Sequence, residues 1–331
     1  MKRKILHLLQ WRFNDIASHA DKISEQGFNA VQVGPLQPTK DIGFEWWKLY
    51  QPCDFLIGNT QLGSREEFTK MCETLHKFGI EIYVDIVLRH VAGADNGNLV
   101  PHFNVNPYFR HNYLKEPCNN YHNRDEYTSK CTGMPMIDYT KQYIQENFYI
   151  PFLDNLVACG ADGFRLDQAK HFKLPGEGCN FFHIFDKFKD KFIYGEVIFE
   201  DKSLLDKYTK YINVITEGRP SNVDKLVAFF ESHDTFHEFK YTQALTRQQI
   251  IDEWRILNKD CNFKNTIFFA RPMNAIYTDS WTWEEIKNDY LTRMEEERSL
   301  GIDKERETYD LIIDGLTKDD VYKNKAVPTT P

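Results

Sequence analysis

Three things are scarce in this chain: excess positive charge, long apolar runs and cysteine. Its 331 residues carry 41 Lys and Arg against 49 Asp and Glu, a formal charge of −8. Phosphate backbones recruit basic faces, so a nucleic-acid partner is not expected. No stretch approaches the roughly 20 apolar residues that cross a bilayer, so no membrane partner is expected either. Seven cysteines are an odd number, and no Cys or His spacing matches a zinc site. Cys118 and Cys131 bracket a polar, Asn-rich loop and either close a disulfide or stay reduced. Cys53, Cys72, Cys159, Cys179 and Cys261 are scattered and read as buried or reduced thiols. Internal repeats and low-complexity tracts are also missing.

Aromatic side chains, by contrast, are plentiful: 25 Phe, 17 Tyr and 6 Trp supply both core and stacking surfaces. The basic opening Met1-Lys2-Arg3-Lys4 imitates a secretory leader. The apolar stretch behind it is short, is broken by His7 and Gln10, and is followed by no small-residue cleavage site. It reads as a first strand, which makes the cytoplasm the expected location unless a leader has been removed. A monomer is expected.

Eight short runs rich in β-branched and aromatic residues alternate with helical patterns: Ile5–Leu9, Ala30–Val33, Ile80–Val87, Gly163–Leu166, Phe192–Ile198, Tyr211–Thr216, Leu226–Phe230 and Thr266–Ala270. Strands alternating with helices imply parallel strands, and eight of them predict an α/β fold, the closed (β/α)8 TIM barrel. Between the first two runs, Asn14–Ile23 reads as one capped helix with Ile16, Ala20 and Ile23 on a face. Ser64-Arg65-Glu66-Glu67 has the form of a capping box and opens a helix bearing Phe68, Met71, Leu75 and Phe78. From Val91 to about Met136 the chain is rich in Asn, His, Tyr, Pro and Gly and shows no helical period. So long an interruption is usually functional, and it reads as a small excursion domain over the barrel mouth. Helices are expected from Trp281 to about Leu300 and over Glu305–Ile313, with a frayed end from Lys323. The expected division is therefore 1–90 and 137–290 for the barrel, 91–136 for the excursion domain and 291–331 for a C-terminal helical tail.

In a parallel barrel the C-terminal strand ends converge on one mouth. The third run ends in Asp85, with Arg89 and His90 just beyond. The fourth ends Arg165-Leu166-Asp167-Gln168-Ala169-Lys170-His171, the fifth Gly195-Glu196, and the seventh Glu231-Ser232-His233-Asp234. Taken singly, an Arg-x-Asp is more often a structural ion pair, and a His-Asp is usually a turn. Their joint arrival at four strand ends of one barrel points to chemistry.

This combination resembles the α-amylase family, glycoside hydrolase family thirteen, from about Ile5 to Asp234. Phe164-Arg165-Leu166-Asp167-Gln168-Ala169-Lys170-His171 is its most specific piece and is close to the form of animal-type members. Trp46-Trp47-Lys48-Leu49-Tyr50-Gln51-Pro52 is similar to the family's substrate-stacking segment, although the Trp pair alone would read as core. The resemblance implies a retaining α-glucan hydrolase of the α-amylase type, acting on α-1,4-glucosidic bonds of starch, glycogen or maltooligosaccharides. It implies Asp167 as nucleophile, Glu196 as general acid/base and Asp234 as transition-state stabiliser. Such an enzyme needs one carboxylate ionised to attack and one carboxyl protonated to release the leaving oxygen. Arg165, two residues before Asp167 along a strand, shares its face and is expected to keep Asp167 ionised, while Glu196 must have its pKa raised. His90 and His233 would donate to the same sugar, and Lys170 and His171 would line the leaving-group side. Trp47 and Tyr50 would offer stacking faces, and Gln51 a hydroxyl partner.

Three departures from the pattern matter. The family commonly has Asn in place of Arg89, and that Asn helps bind a structural Ca²⁺; Asp138 resembles another of its ligands. Arginine has no lone pair for a metal, so Arg89 is expected either to occupy the cation position and pair with Asp138, giving calcium independence, or to point to solvent. Ser232 stands where chloride-activated members have Asn, which disfavours chloride as a cofactor. The C-terminal β-sandwich usual in the family is not expected here. Within the family a transglucosylase or isomerase is the rival reading. Outside it the rival is a catalytically silent glycan-binding relative, although all three carboxylates are present.

Overall fold

The structure is a computed structural model that describes residues 2–25, 27–39, 46–59, 61–93, 103, 107–114, 116–198, 200–229, 232–234 and 263–269. Eight parallel strands close into a barrel. In chain order they are β1 (Arg3–Leu8), β2 (Ala30–Val33), β3 (Glu81–Ile86), β6 (Gly163–Leu166), β7 (Phe192–Glu196), β8 (Asn213–Ile215), β9 (Leu226–Ala228) and β10 (Asn265–Phe269). The remaining two, β4 (Tyr113–Leu114) and β5 (Met136–Ile137), pair antiparallel outside the barrel. Closure runs from β1 to β10, with Ile5 opposite Ile267 and His7 opposite Phe269. Each strand expected from the sequence coincides with one of the eight.

Alternation along these strands separates two apolar sets. Ile5, Ala30, Tyr83, Phe192, Tyr194, Ile215, Val227 and Ile267 pack on one another and fill the barrel interior. Leu6, Val31, Ile82, Val84, Phe164, Ile193, Val214 and Phe268 belong to the larger cluster outside, with the helices. Gly163 is required by this geometry. A Cβ there would lie 2.0 Å from the Phe192 carbonyl oxygen and 2.9 Å from the Tyr83 ring. The inward positions at the strand ends are polar, and they form the barrel mouth.

The capping box opens the helix Arg65–Lys77 as expected: Ser64 Oγ accepts from the Glu67 N–H at 3.2 Å, and Glu67 accepts from the Ser64 N–H at 2.7 Å. Phe68, Met71 and Leu75 are buried, but Phe78 is 44% exposed. It stands one residue beyond the helix, where the chain turns through Gly79 at φ 70. The expected helix Asn14–Ile23 is two short helices, Phe13–Ser18 and Ala20–Glu25, broken at His19, and the N-cap Arg12 makes no side-chain cap bond. Ser18 Oγ donates to the Asp15 carbonyl, and His19 Nδ1 approaches it at 2.8 Å, so side chains compete there for a backbone acceptor. Ile16, Ala20 and Ile23 nevertheless face the core.

The stretch from Val91 to about Met136 is not without helix. It holds Pro107–His111 and Arg124–Ser129, which at five and six residues are too short to display a period in the sequence. Cys118 and Cys131 are free thiols, held side by side through a backbone bond of 2.8 Å, and the Cys131 thiol donates to the Leu114 carbonyl at 2.7 Å. The helices expected over 281–300 and 305–313 lie outside the described residues. No helix among the described residues is long and apolar enough to cross a membrane.

Candidate active site

The strand ends line a cavity of about 410 Å³. All eleven residues expected to catalyse or to bind substrate contribute to it: Trp47, Tyr50, Gln51, His90, Arg165, Asp167, Lys170, His171, Glu196, His233 and Asp234. At its centre is the Arg165 guanidinium. Nη1 donates to Asp85 Oδ1, Asp85 Oδ2 and Asp167 Oδ1, each at 2.9 Å, while Nη2 pairs with Glu196 Oε2 at 3.0 Å. One planar cation therefore holds the two carboxyls expected to act on the sugar within a side chain's width of each other. Burial works against its charge, but Asp85 and Glu196 outweigh that and hold Arg165 well above the ordinary arginine range.

The electrostatics correct one expectation. Arg165 does not keep Asp167 low, because its single charge is divided among three carboxylates. Burial first, then Glu196, Asp85 and Asp234, push Asp167 well above the usual carboxylate range against the pull of Arg165. Burial likewise pushes Asp85 up to about 6 in spite of Arg165 and Tyr50. Carboxyls this close titrate as a set, and the set retains a proton to higher pH than an isolated acid would. A general acid needs such a proton.

The backbone after β6 contributes too. Gln168, at φ 49, is the only non-glycine residue with positive φ among those described, and its N–H donates to Glu196 Oε2 at 3.0 Å. A left-handed residue carrying a side chain costs about 1 kcal/mol or more, and here it aims a donor at a candidate catalytic group. His90 and His171 are kept neutral: burial pushes them down to about 4 and about 3. His90 Nε2 meets the Tyr50 carbonyl at 2.8 Å, and His171 Nδ1 meets that of Tyr127 at 3.0 Å. Lys170 Nζ donates to the Ile198 carbonyl at 3.2 Å. Trp47 is 36% exposed and open to stacking, whereas Trp46 is buried. Tyr50 is also mostly buried, its ring stacked on His233 and its hydroxyl donating to Asp85 at 2.8 Å. His233 lies 3.4 Å from Asp234.

Arg89 and Asp138 do not pair. Asp138 is satisfied locally, by Thr140 Oγ1 at 2.5 Å and Lys141 Nζ at 3.5 Å. Nor does Arg89 reach solvent, being fully buried. Its Nη2 donates to the carbonyls of Tyr127, Thr128 and Lys130 at 3.3, 2.8 and 3.3 Å, and its guanidinium lies 4.7 Å from the Tyr139 ring centre. Among the described residues no three His, Cys, Asp or Glu side chains gather as a cation site.

Sequence reasoning gave no place at this mouth to Gln32 and His7, which line it, and named Asp85 and Gln168 at the strand ends without giving either a role. The inward parity of β1 and β2 was the available signal for the first two.

No family model matches the chain. Among curated proteins it is 31% identical over 312 residues to an α-amylase of Clostridium acetobutylicum, a match covering 82% of this chain and 40% of that one. It is 28% identical over 344 residues to an α-amylase of Butyrivibrio fibrisolvens, covering 82% and 35%. The rat pancreatic α-amylase is 31% identical over 196 residues, covering 52% and 38%. The chain thus spans about two fifths or less of the length of these relatives. Among solved structures, an α-amylase I of Eisenia fetida, a mutant in complex with maltohexaose, superposes with a TM-score of 0.69 at 19% identity, covering 85% of this chain and 70% of that one. The α-amylase of Geobacillus thermoleovorans, in complex with acarbose, gives 0.66 at 14% identity, covering 87% and 76%.

Proposed function

Because the chain belongs to the α-amylase family, we propose that it is a retaining α-glucan hydrolase, cleaving α-1,4-glucosidic bonds of starch, glycogen or maltooligosaccharides. The observation that carries this reading is the shared guanidinium: Arg165 bonds Asp167 and Glu196 at 2.9 and 3.0 Å at the floor of one cavity. In the proposed reaction Asp167, ionised through its bond to Arg165 against the upward push of burial and its acidic neighbours, attacks the anomeric carbon while Glu196 gives its proton to the departing glycosidic oxygen. The bond to the leaving sugar breaks as the bond to Asp167 forms. Glu196, now a base, then takes a proton from water, whose oxygen displaces Asp167 and restores the α-configuration. Asp234 grips sugar hydroxyls as the ring flattens towards an oxocarbenium ion. His90 and His171, kept neutral by burial, serve as hydrogen-bonding groups and not as acids. Trp47 offers the stacking face, with Gln51, Lys170 and His233 as polar contacts.

The test is digestion of soluble starch with product sizes and anomers followed by NMR. Products of α-configuration are expected, and the Asp167→Asn variant should be inert. Products of β-configuration overturn the retaining mechanism, and products longer than a maltooligosaccharide substrate reassign the second step to sugar transfer.

The residues at the family's Ca²⁺ position do not fit the ion. Arg89 brings a positive charge to the carbonyls of Tyr127, Thr128 and Lys130, and Asp138 is engaged by Thr140 and Lys141. Calcium independence is therefore part of the proposal, with Arg89 supplying the charge. The division into a barrel of 1–90 and 137–290, with 91–136 standing over its mouth, belongs to the same reading.

A further inference from the structure

We propose that Gln32 and His7, on the first two strands, are positioning residues for this hydrolysis, acting through Asp85 on the orientation of Arg165. The inference rests on the reading of Asp167 and Glu196 given above. It starts from register. His7 lies opposite Gln32 across β1 and β2, Asp85 opposite Arg165 across β3 and β6, and Arg165 opposite Tyr194 across β6 and β7. These five side chains form a polar layer beneath the candidate catalytic carboxyls, where a barrel would ordinarily place branched apolar residues. Exposure is 4% for His7, 1% for Gln32 and 0% for Asp85.

Burial makes every lone pair and proton in that layer count, and the hydrogen bonds fix which way the Gln32 amide points. Tyr194 donates its hydroxyl to Gln32 Oε1. The amide nitrogen then faces Asp85 Oδ2 at 3.4 Å and His7 Nε2 at 3.0 Å. The reverse orientation would set the amide oxygen against a buried carboxylate. With the nitrogen turned inward, one N–H points to Asp85 and the other to His7, so His7 Nε2 must be an acceptor. His7 is thereby assigned as the neutral tautomer with its proton on Nδ1. Its ring is held edge-on to His233, with centroids 5.3 Å apart, and against Phe269 at 5.4 Å.

The consequence reaches the reacting groups in two steps. Asp85 is a buried carboxylate whose ionised form is supported by Arg165, by the Tyr50 hydroxyl and by Gln32. While charged, it grips Arg165 through both oxygens and fixes the plane from which Nη1 reaches Asp167 and Nη2 reaches Glu196. His7 supplies the lone pair that keeps the amide turned. Neither residue need touch the sugar's reacting carbon, so loss of either should be felt in turnover more than in binding.

The experiment compares Gln32→Leu, His7→Phe and the double variant with wild type on one maltooligosaccharide, across pH. Gln32→Leu should lower kcat roughly 10- to 100-fold, as small misplacements of catalytic groups do. KM should stay within about twofold, and the acid limb of the kcat profile should move to higher pH as Asp85 loses a donor to its charged form. His7→Phe should shift the same quantities in the same direction, and the double variant should be no worse than Gln32→Leu, since both act through one amide. His7→Gln, which restores an acceptor, should recover part of the loss. Should Gln32→Leu fail to fold, Gln32→Met, which keeps the side-chain length and lacks the N–H donors, is read in its place. Unchanged kcat and acid limb, a rise in KM alone, or additive losses in the double variant would each overturn the assignment. Wild-type turnover beside an inert Asp167→Asn variant separates this failure from failure of the proposed function; absence of wild-type turnover overturns both.

Discussion

Arg165 lies within β6 and Arg89 three residues beyond β3, its neighbour in the barrel, and the two are 3% and 0% exposed. Their surroundings differ. Arg165 is bonded to Asp85, Asp167 and Glu196, three carboxylates for one cation. Arg89 meets backbone carbonyls and the rings of Tyr139 and Phe172, while its Nε and Nη1 find no acceptor among the described residues. Burial lowers the pKa of Arg89, whereas around Arg165 the carboxylates reverse that effect. The first arrangement has excess negative charge, which pushes Asp167 and Asp85 upward. The second has excess positive charge and ties the segment around Tyr127–Lys130 to the barrel. Similar burial of one residue type thus has two electrostatic outcomes, one suited to the proposed chemistry and one to architecture, and what decides is whether the partners can ionise.

The largest effect should come from breaking the first arrangement. Arg165→Met leaves Asp85, Asp167 and Glu196 facing one another unpaired, and removal of one partner from a buried ion pair costs about 3–5 kcal/mol. In the folded fraction, kcat on a maltooligosaccharide should fall by about 10³-fold, comparable to loss of a preorganised charge at an active site. Urea unfolding and steady-state kinetics measure the two losses; a kcat within tenfold of wild type would show that the guanidinium gathers the carboxyls without serving them.

Arg89→Met should be milder and different in kind. Carbonyls that lose a buried donor cost about 1–3 kcal/mol, partly offset because the unsatisfied Nε and Nη1 disappear as well. Turnover should stay within a few-fold of wild type once the protein is folded. If instead kcat collapses while the urea midpoint holds, the contrast between the two arginines is misdrawn.

Much of this comparison was legible in the sequence, for physical reasons. Strand runs such as Ala30–Val33 and Gly163–Leu166 are buried on both faces, so they stand out as short apolar stretches wherever the chain pairs. The box Ser64 to Glu67 is local, and local chemistry survives folding unchanged. Asp167, Glu196 and Asp234 were reachable because strand ends converge. His7 and Gln32 were not, because a polar residue inside an apolar run reads as an interruption until the register places 25 residues of separation across one hydrogen bond. The partner of Arg89 was misread for the opposite reason. Charge suggested Asp138, but three main-chain carbonyls, which no side-chain alphabet records, reach the guanidinium, while Thr140 and Lys141 satisfy Asp138.

A smaller effect tests the charge excess around Arg89 through its neighbour His171. Its folded pKa, about 3, is lowered first by burial and then, among other charges, by Arg89, whereas the unfolded ring titrates near 6.5. Because the folded value lies below the unfolded one, the unfolded chain takes up the proton first on acidification. The contribution of His171 to stability is therefore whole above pH 6.5 and is lost as pH falls towards 3. Between pH 6.5 and 5.5 wild type should lose about 1 kcal/mol more than His171→Asn, read from urea midpoints at each pH. Asp85, pushed up to about 6, acts in the opposite sense over the same range in both proteins and cancels in the difference. Equal pH slopes would mean that His171 takes up its proton in the fold as readily as in the unfolded chain.

The smallest expected effect is none. A bound ion that favours the folded state raises the melting temperature, and its removal lowers it by mass action. A guanidinium inside the chain is not subject to mass action, since no chelator can take it away. If Arg89 supplies the positive charge between β3 and the Tyr127–Lys130 segment, the melting temperature of wild type in excess chelator should match that in added Ca²⁺ to within about a degree, whereas loss of an ion that contributes several kcal/mol would move a chain of 331 residues by several degrees, at roughly 1.5 °C per kcal/mol. Arg89→Asn sharpens the same measurement. Asparagine returns an oxygen to the cluster of carbonyls and removes the charge that repels a cation, so this variant should become chelator-sensitive where wild type is not. A wild-type midpoint that falls by several degrees in chelator would mean that the chain binds Ca²⁺ in spite of Arg89, and the second arginine would then not be the ion's substitute.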